Sequence, residues 1–230
     1  MKKASAVFFA LFFFGRLAAF PQSSVLKRGQ YGLGLSGAWA ANSGASGFTG
    51  TAGVGLGGIF DLSFSAGRAK YKPGASEFSD LKTTSYGPEL QAHVIKQNSS
   101  RAPLSLAISI GYTRDHFSSP DLATEQLRMW ANTFYVGAAV YRDIRLFRGA
   151  YLQPSVGITY VNTSFKVSDA AGLTLSNEDN MAAFSFSLPL VYRLSELTML
   201  VVQPGLTFDK DTTTFAVSVG LVRALKRSSL

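Results

Sequence analysis

The stretch Phe184 to Leu194 sets the strongest limit on what this chain can fold into. Every even position from Phe184 to Leu194 is large and apolar, while Ser185, Ser187, Pro189 and Arg193 occupy odd positions; only Val191 breaks the alternation. A period of two over this length describes a β-strand with one greasy face and one polar face. The same pattern recurs along almost the whole chain. Leu104, Leu106, Ile108, Ile110 and Tyr112 alternate with Ser105, Ala107, Ser109, Gly111 and Thr113, and Phe215, Val217, Val219 and Leu221 alternate with Ala216, Ser218 and Gly220.

The polar face decides which kind of β-protein this is. In a soluble barrel it meets water and carries Lys, Glu and Asp. Here it is Ser, Gly, Thr and Ala, which are poor solubilisers but good fillers of a narrow interior. Charged residues make up only 16% of the 230 residues, and glycine is abundant at 22. The pattern predicts a closed antiparallel up-and-down transmembrane β-barrel over residues 29–225, of about ten strands within a range of eight to twelve. The alternative is a soluble secreted barrel that binds an apolar ligand; it requires the same apolar residues to face inward.

The predicted strands run from Gln30 to Ala41, Thr49 to Phe60, Leu62 to Tyr71, Thr83 to Ile95, Leu104 to Thr113, Asn132 to Ile144, Tyr151 to Phe165, Phe184 to Leu194, Thr198 to Phe208 and Thr213 to Leu225. Short connections are expected near Asp61, Arg145 to Gly149 and Ser195-Glu196. Long loops are expected near Pro73 to Lys82, Ser118 to Met129 and Ala170 to Asn180. Tyr31, Trp39, Tyr112, Tyr160, Tyr192 and Phe208 sit near strand ends, where aromatic girdles belong. Gln153-Pro154 and Gln203-Pro204 open two similar segments, which convergent turn-exit chemistry explains as well as duplication.

The N-terminus reads as a signal. Lys2 and Lys3 precede the apolar run from Ala6 to Gly15, and Leu17-Ala18-Ala19 offers a small residue before Phe20. This order matches a secretory signal peptide over residues 1–19, followed by an N-terminal extension at 20–28; the apolar run is shorter than the ~20 residues of a membrane-spanning helix. Residues 226–230 form a C-terminal tail. The location implied is the bacterial outer membrane, reached by secretion through the inner membrane.

Charge and cysteine content exclude several functions. The formal +8 falls to +5 once Lys2, Lys3 and Arg16 are removed, and the remaining bases are scattered. No basic helix or basic–aromatic motif calls for nucleic acid. The absence of cysteine excludes disulfides, thiolate metal sites and a cysteine nucleophile. No metal-ligand cluster or phosphate loop points to a cofactor. Ten acids, namely Glu77, Asp80, Asp115, Asp121, Glu125, Asp169, Glu178, Asp179, Asp209 and Asp211, fall at the predicted outer end. Lys96, Arg101, Arg142, Arg145, Arg148 and Arg193 fall at the other. Acidic loops can meet lipopolysaccharide phosphates through divalent cations, although simple solvation of the loops explains them better.

The signal, the Tyr-Gly-Leu-Gly-Leu opening at Tyr31 to Leu35 and the serial hairpins resemble the small outer-membrane β-barrel proteins of the OmpA-like and opacity-like porin superfamily. The resemblance covers about residues 29–225 and rests on pattern. Such families imply adhesion, envelope anchoring, narrow pores or no assigned role; an expected filled lumen favours a structural, adhesive or surface-interaction role over a general diffusion pore. The partners the resemblance implies are outer-membrane lipids, lipopolysaccharide and the barrel-assembly machinery. The end Leu225-Lys226-Arg227-Ser228-Ser229-Leu230 departs from the terminal aromatic common in such barrels.

Two arrangements suggest catalysis. His116 and Ser118, with Glu125 beyond, resemble the His-x-Ser and later Glu of lipid A deacylases, in which histidine activates a serine nucleophile. The flanking residues do not match, and the expectation is no catalytic site. Omptin-type proteases need paired aspartates and an Asp–His couple. Asp209 and Asp211 are a pair, but no acid–histidine couple stands out. Glu89 and His93 share the inward face of the fourth strand, too far apart to bond, and Glu89 is expected to pair with an inward basic group. With Gln91, Tyr135 and Tyr141 they should fill much of the lumen. Any specific function is then expected in the outer loops, first in the third, Asp115 to Arg128.

Overall fold

The computed structural model describes residues 22–97 and 102–225; the expected signal peptide and the C-terminal tail lie outside them. The barrel wall contains β1 (Gly32–Ala41), β2 (Ala45–Leu56), β3 (Phe60–Tyr71), β4 (Lys82–Ile95), β5 (Ser105–Ser118) and β6 (Arg128–Tyr141). It continues through β7 (Ile144–Phe147), β8 (Ala150–Leu152), β9 (Ser155–Ser168), β10 (Thr174–Ser187), β11 (Leu190–Arg193), β12 (Thr198–Phe208) and β13 (Thr213–Ala224). Every pairing is antiparallel, and β1 closes on β13 from Gly32↔Ala224 to Ala41↔Phe215.

Ten staves make the wall, because three short strands extend longer ones. β7 prolongs the line of β6, β8 that of β9, and β11 that of β10. Two of the three breaks fall at Pro154 and Pro189, which have no N–H to give the ladder, and the third, between β6 and β7, falls at Arg142-Asp143. The surrounding chain re-satisfies the gap: Gln153 N donates to Pro189 O (2.8 Å) and Leu188 N to Pro204 O (3.0 Å).

The register fixes the tilt. From Ala40 the ladder runs through Gly47, Ala69, Thr83, Phe117, Met129 and Val167 to Leu175 of β10. In the other direction it runs through Ala216 and Gly205 to Ser187 of the same strand. Leu175 and Ser187 are twelve residues apart, which is the stagger of the closed sheet. With ten strands about 4.7 Å apart and about 3.3 Å per residue, that stagger tilts the strands by about 40°.

The apolar face points outward. Leu35, Phe48 and Val156 are 67%, 69% and 60% exposed, whereas Ala38, Thr51, Ala107 and Ser218 on the opposite face are buried. This direction rules out the soluble apolar-binding barrel. On the tilted lattice one residue climbs about 2.5 Å and one strand step about 3 Å. By that measure Trp39, Phe48, Tyr86, Tyr112, Phe134, Tyr160 and Phe208, all exposed, lie within about 5 Å of one level. Tyr31, Phe60 and Tyr192 mark the other end, roughly 20–25 Å away, which matches the apolar band of a membrane barrel.

Two expectations need correction. Ala170 to Asn180 is not a loop: β10 begins at Thr174 and pairs with β9 down to Ser187, leaving a turn at 169–173. Polar side chains on both faces hide the period of two there. Asp115 to Ser118 likewise belong to β5 and Arg128 to β6, so the third loop is shorter than expected.

Replacing Val219, half-exposed in the middle of the apolar band, by Arg (Val219→Arg) is expected to destabilise the folded barrel by about 2–4 kcal/mol. Urea unfolding in lipid vesicles measures it; an unchanged midpoint contradicts the lipid-facing assignment.

Candidate functional site

The barrel has a terminal end, where Gly32 and Ala224 meet, and a loop end, and each is stoppered by its own chain. At the terminal end the helix α1 (Gln22–Val25) and Leu26 enter the lumen. Leu26 is buried against Val191, Met199, Val201, Val222 and Ala224. Gly32 and Gly55 leave space for it: a Cβ on Gly55 would lie 2.6 Å from a Leu26 methyl. Gly58 combines a φ of +60° with a close approach to the Lys27 carbonyl, so only glycine fits.

Polar groups pin this plug. Ser23 N donates to Asp61 Oδ1 (2.7 Å), and its hydroxyl donates to the Phe60 carbonyl (2.8 Å). Lys96 Nζ donates to the carbonyls of Ser23 (2.6 Å), Gly58 (3.0 Å) and Leu26. Burial draws the Lys96 pKa down to about 8, with Asp143 and Asp61 opposing the shift. At neutral pH the group is still an ammonium, satisfied by three acceptors.

Asp61 also completes a buried chain of hydrogen bonds. Its Oδ2 lies 3.1 Å from His93 Nε2, and His93 Nδ1 lies 2.7 Å from the Tyr141 hydroxyl. The acid–histidine couple absent from the linear reading therefore exists, beneath the plug. Its signal was available in parity: Asp61 faces Gln91 across the β3–β4 ladder, and His93 is the next inward position. Higher in the lumen, Tyr135 donates to Glu89 Oε2 (2.7 Å), so the hydrogen bond found at Glu89 comes from a phenol. Gly111 makes room for that ring, since a Cβ there would lie 2.3 Å from it. Between the plugs remains a cavity of about 150 Å³ lined by Glu89, Gln91, Ser109, Gln153 and Gln203, among others.

At the loop end α2 (Pro120–Thr124) is capped by the Ser119 hydroxyl, which accepts from Leu122 N (3.1 Å). It drives Leu122 into a cluster with Tyr71, Leu81, Phe117 and Met129. Asp121 Oδ2 accepts from both the amide and the hydroxyl of Ser79, each at 2.6 Å, and so ties the β5–β6 loop to the β3–β4 loop. These bonds hold its carboxyl below the ordinary range. The third loop is thus largely a stopper.

The catalytic candidates are not brought together. His116 is on the outer face, stacked on Tyr86 with its Nε2 3.3 Å from the Tyr86 hydroxyl. Ser118 ends β5, and Glu125 caps α2, its N–H bonded to the Asp121 carbonyl. Asp209 accepts from the amides of Asp211 and Thr212, both at 2.7 Å, so this acid pair forms a turn. Among the described residues no group of three His, Asp or Glu gathers to hold a metal ion.

At the loop end the β9–β10 hairpin stands free of the wall. β12 pairs with β10 only from Phe184 to Ser187, so the ten residues from Thr174 to Ala183 have a partner on one side alone among the described residues. Measured from Phe184 in the girdle, that arm rises about 25 Å. Leu173 and Leu175 at its tip are 73% and 79% exposed.

No family model matches the chain, and no curated protein matches it. Solved structures do. The translocator domain of the autotransporter NalP from Neisseria meningitidis matches over 87% of this chain and 91% of its own, at 14% identity and a TM-score of 0.55. The β domain of the Bordetella autotransporter BrkA matches over 86% and 100%, at 8% identity and a TM-score of 0.54. Ail, the attachment invasion locus protein of Yersinia pestis, matches over 86% and 100%, at 10% identity and a TM-score of 0.42. At these identities the likeness is one of fold. The chain is a closed antiparallel barrel of the bacterial outer-membrane kind.

Two outcomes test the stoppers. Lys96→Met should release residues 22–30, read as their gain in hydrogen exchange while the wall stays protected. For Asp121, a depressed carboxyl stabilises above its ordinary pKa and loses that contribution as pH falls through the lowered value. Cleavage of the segment 73–81 by an acid-active protease should therefore rise below about pH 4, and Asp121→Asn should weaken the clasp at neutral pH.

Proposed function

We propose that this protein is an integral outer-membrane barrel that acts by surface interaction, with its loop end outside the cell and the β9–β10 hairpin as its contact element. It would reach this place by secretion through the inner membrane and insertion by the barrel-assembly machinery. Solute passage and catalysis fit the geometry less well: the lumen is stoppered at both ends, and the candidate catalytic residues point in different directions.

One observation carries the reading. The upper half of β10 is a strand edge with unpaired backbone donors and acceptors, lifted clear of the girdle. Soluble proteins generally cover, shorten or charge such edges, because an extended partner can add to them. Here Glu178 and Asp179 blunt self-pairing, since two copies meeting antiparallel would bring like charges together. An adhesive contact made there uses backbone hydrogen bonds for affinity and alternate side chains for selectivity.

Replacing residues 170–181 by a two-residue turn tests it. Cells carrying the trimmed chain should display a heat-modifiable barrel at normal abundance, yet lose the attachment to host-cell monolayers that the full chain confers. Equal attachment by both strains, or large and stable conductance of the intact barrel in planar bilayers, contradicts the reading.

A further inference from the structure

Above the girdle the outer wall is strongly divided by charge. On the adjacent strands β3, β4, β5, β6 and β9 the outward positions at the loop end carry Arg68, Lys82, Arg114, Arg128 and Lys166. On β10 the matching outward positions are Ser176, Glu178 and Asn180. The basic sector is continuous in register. Arg68 faces Thr84, Thr84 faces His116, His116 faces Trp130, and Trp130 faces Lys166. One row lower, Arg114 is flanked by Tyr86 and Asn132. Arg114 therefore starts roughly 12 Å from both Arg68 and Lys166, which stand roughly 19 Å apart at the two ends of the row, so that their long side chains bracket Arg114.

Few acids border the cluster: Asp80 lies within electrostatic reach of Lys82, and Glu178 is the outward position diagonal to Lys166. Among the described residues the ion-paired cation of this region is Lys70, bound to Asp80 at 2.8 Å; Arg68, Lys82, Arg114, Arg128 and Lys166 form no ion pair. The Nε of Arg114 is buried without a hydrogen-bond partner, although a buried guanidinium donor is normally satisfied. Aromatic and amide groups surround the position: Tyr86 with His116, and Tyr112, whose hydroxyl donates to Asn132 Oδ1 (2.6 Å).

Place decides the ligand. Arg68 and Arg114 are on the lipid-facing wall just above the aromatic level, where the headgroups of one leaflet lie, and Lys82, Lys166 and Arg128 follow roughly 8–14 Å higher on the tilted lattice. The lumen and the free edge of β10 face elsewhere. Guanidinium groups bind phosphate oxygens in bidentate fashion and lysines add point charge.

We propose that Arg68, Arg114 and Lys166, supported by Lys82 and Arg128, form a binding site for the phosphates of an outer-leaflet glycolipid, the lipid A part of lipopolysaccharide. The contact is direct, in place of the acid–cation bridges the loop acids suggest. It rests on the loop end lying in the outer leaflet, but not on any adhesive partner.

The test uses the full barrel purified in detergent and three pure probes: bisphosphorylated lipid A, the same lipid with its phosphates removed, and inorganic phosphate. Bisphosphorylated lipid A should bind and raise the unfolding temperature. The dephosphorylated lipid should bind about tenfold more weakly or worse, and inorganic phosphate should not compete at millimolar concentration. The triple variant Arg68→Gln, Arg114→Gln, Lys166→Gln should lose at least tenfold in affinity for lipid A. A control with Arg145→Gln and Arg223→Gln, exposed bases at the terminal end, should not change it. Equal binding of the dephosphorylated lipid overturns the proposal, and that arm needs no variant. So does full competition by inorganic phosphate, unchanged affinity in a folded triple variant, or equal loss in the control. Because no cell or partner is used, failure here leaves the adhesive reading standing, and failure of attachment leaves this one.

Discussion

The structure depends on one constraint: inside hydrocarbon, every backbone N–H and C=O must find its partner in the protein. Each unmet group costs several kcal/mol, so an apolar-faced sheet can cross a membrane only if its first and last strands join. Here ten rungs between β1 and β13 make that join. Pro154 and Pro189, which cannot donate, are placed where the wall kinks toward the terminal end and neighbouring carbonyls are reassigned.

Closure with a twelve-residue stagger then shapes the rest. The tilt that lets the sheet meet itself also makes its upper rim uneven, because β12 turns back at Phe208 while β9 and β10 continue upward. The projecting arm is thus a consequence of register. The same tilt sets the outward row from Arg68 to Lys166 rising away from the girdle, so bases reach headgroup level on one side of the barrel while apolar residues remain below. Inward, small residues narrow the lumen enough for two short segments to stopper it, each with one deeply buried leucine, Leu26 and Leu122.

The wall was legible in the sequence because a membrane barrel repeats one rule, and Thr198–Phe208 and Gly32–Ala41 follow it almost residue by residue. Legibility failed where the rule stops applying. The arm from Thr174 to Ala183 has water on both faces, so nothing forces its side chains to alternate. The plugs were missed for another reason: Ser23 to Leu26 and Pro120 to Thr124 are too short to show a period, and their partners are scattered over distant strands. The Asp61–His93–Tyr141 chain joins three strands, and only parity counted along each of them brings its members together. The candidate set of His116, Ser118 and Glu125 drew on sequence proximity, which a strand and a capped helix then pulled apart.

The absence of native cysteine makes the central claim directly measurable. Spin labels attached to Leu35→Cys and to Ser36→Cys in vesicles sit one residue apart, in the middle of the wall, on opposite faces. The account predicts that the label at position 35 collides freely with dissolved oxygen, which concentrates in the hydrocarbon, and that the label at position 36 is shielded from it. High oxygen accessibility at 36 with shielding at 35 would contradict the barrel as described, because it would place the apolar face inside.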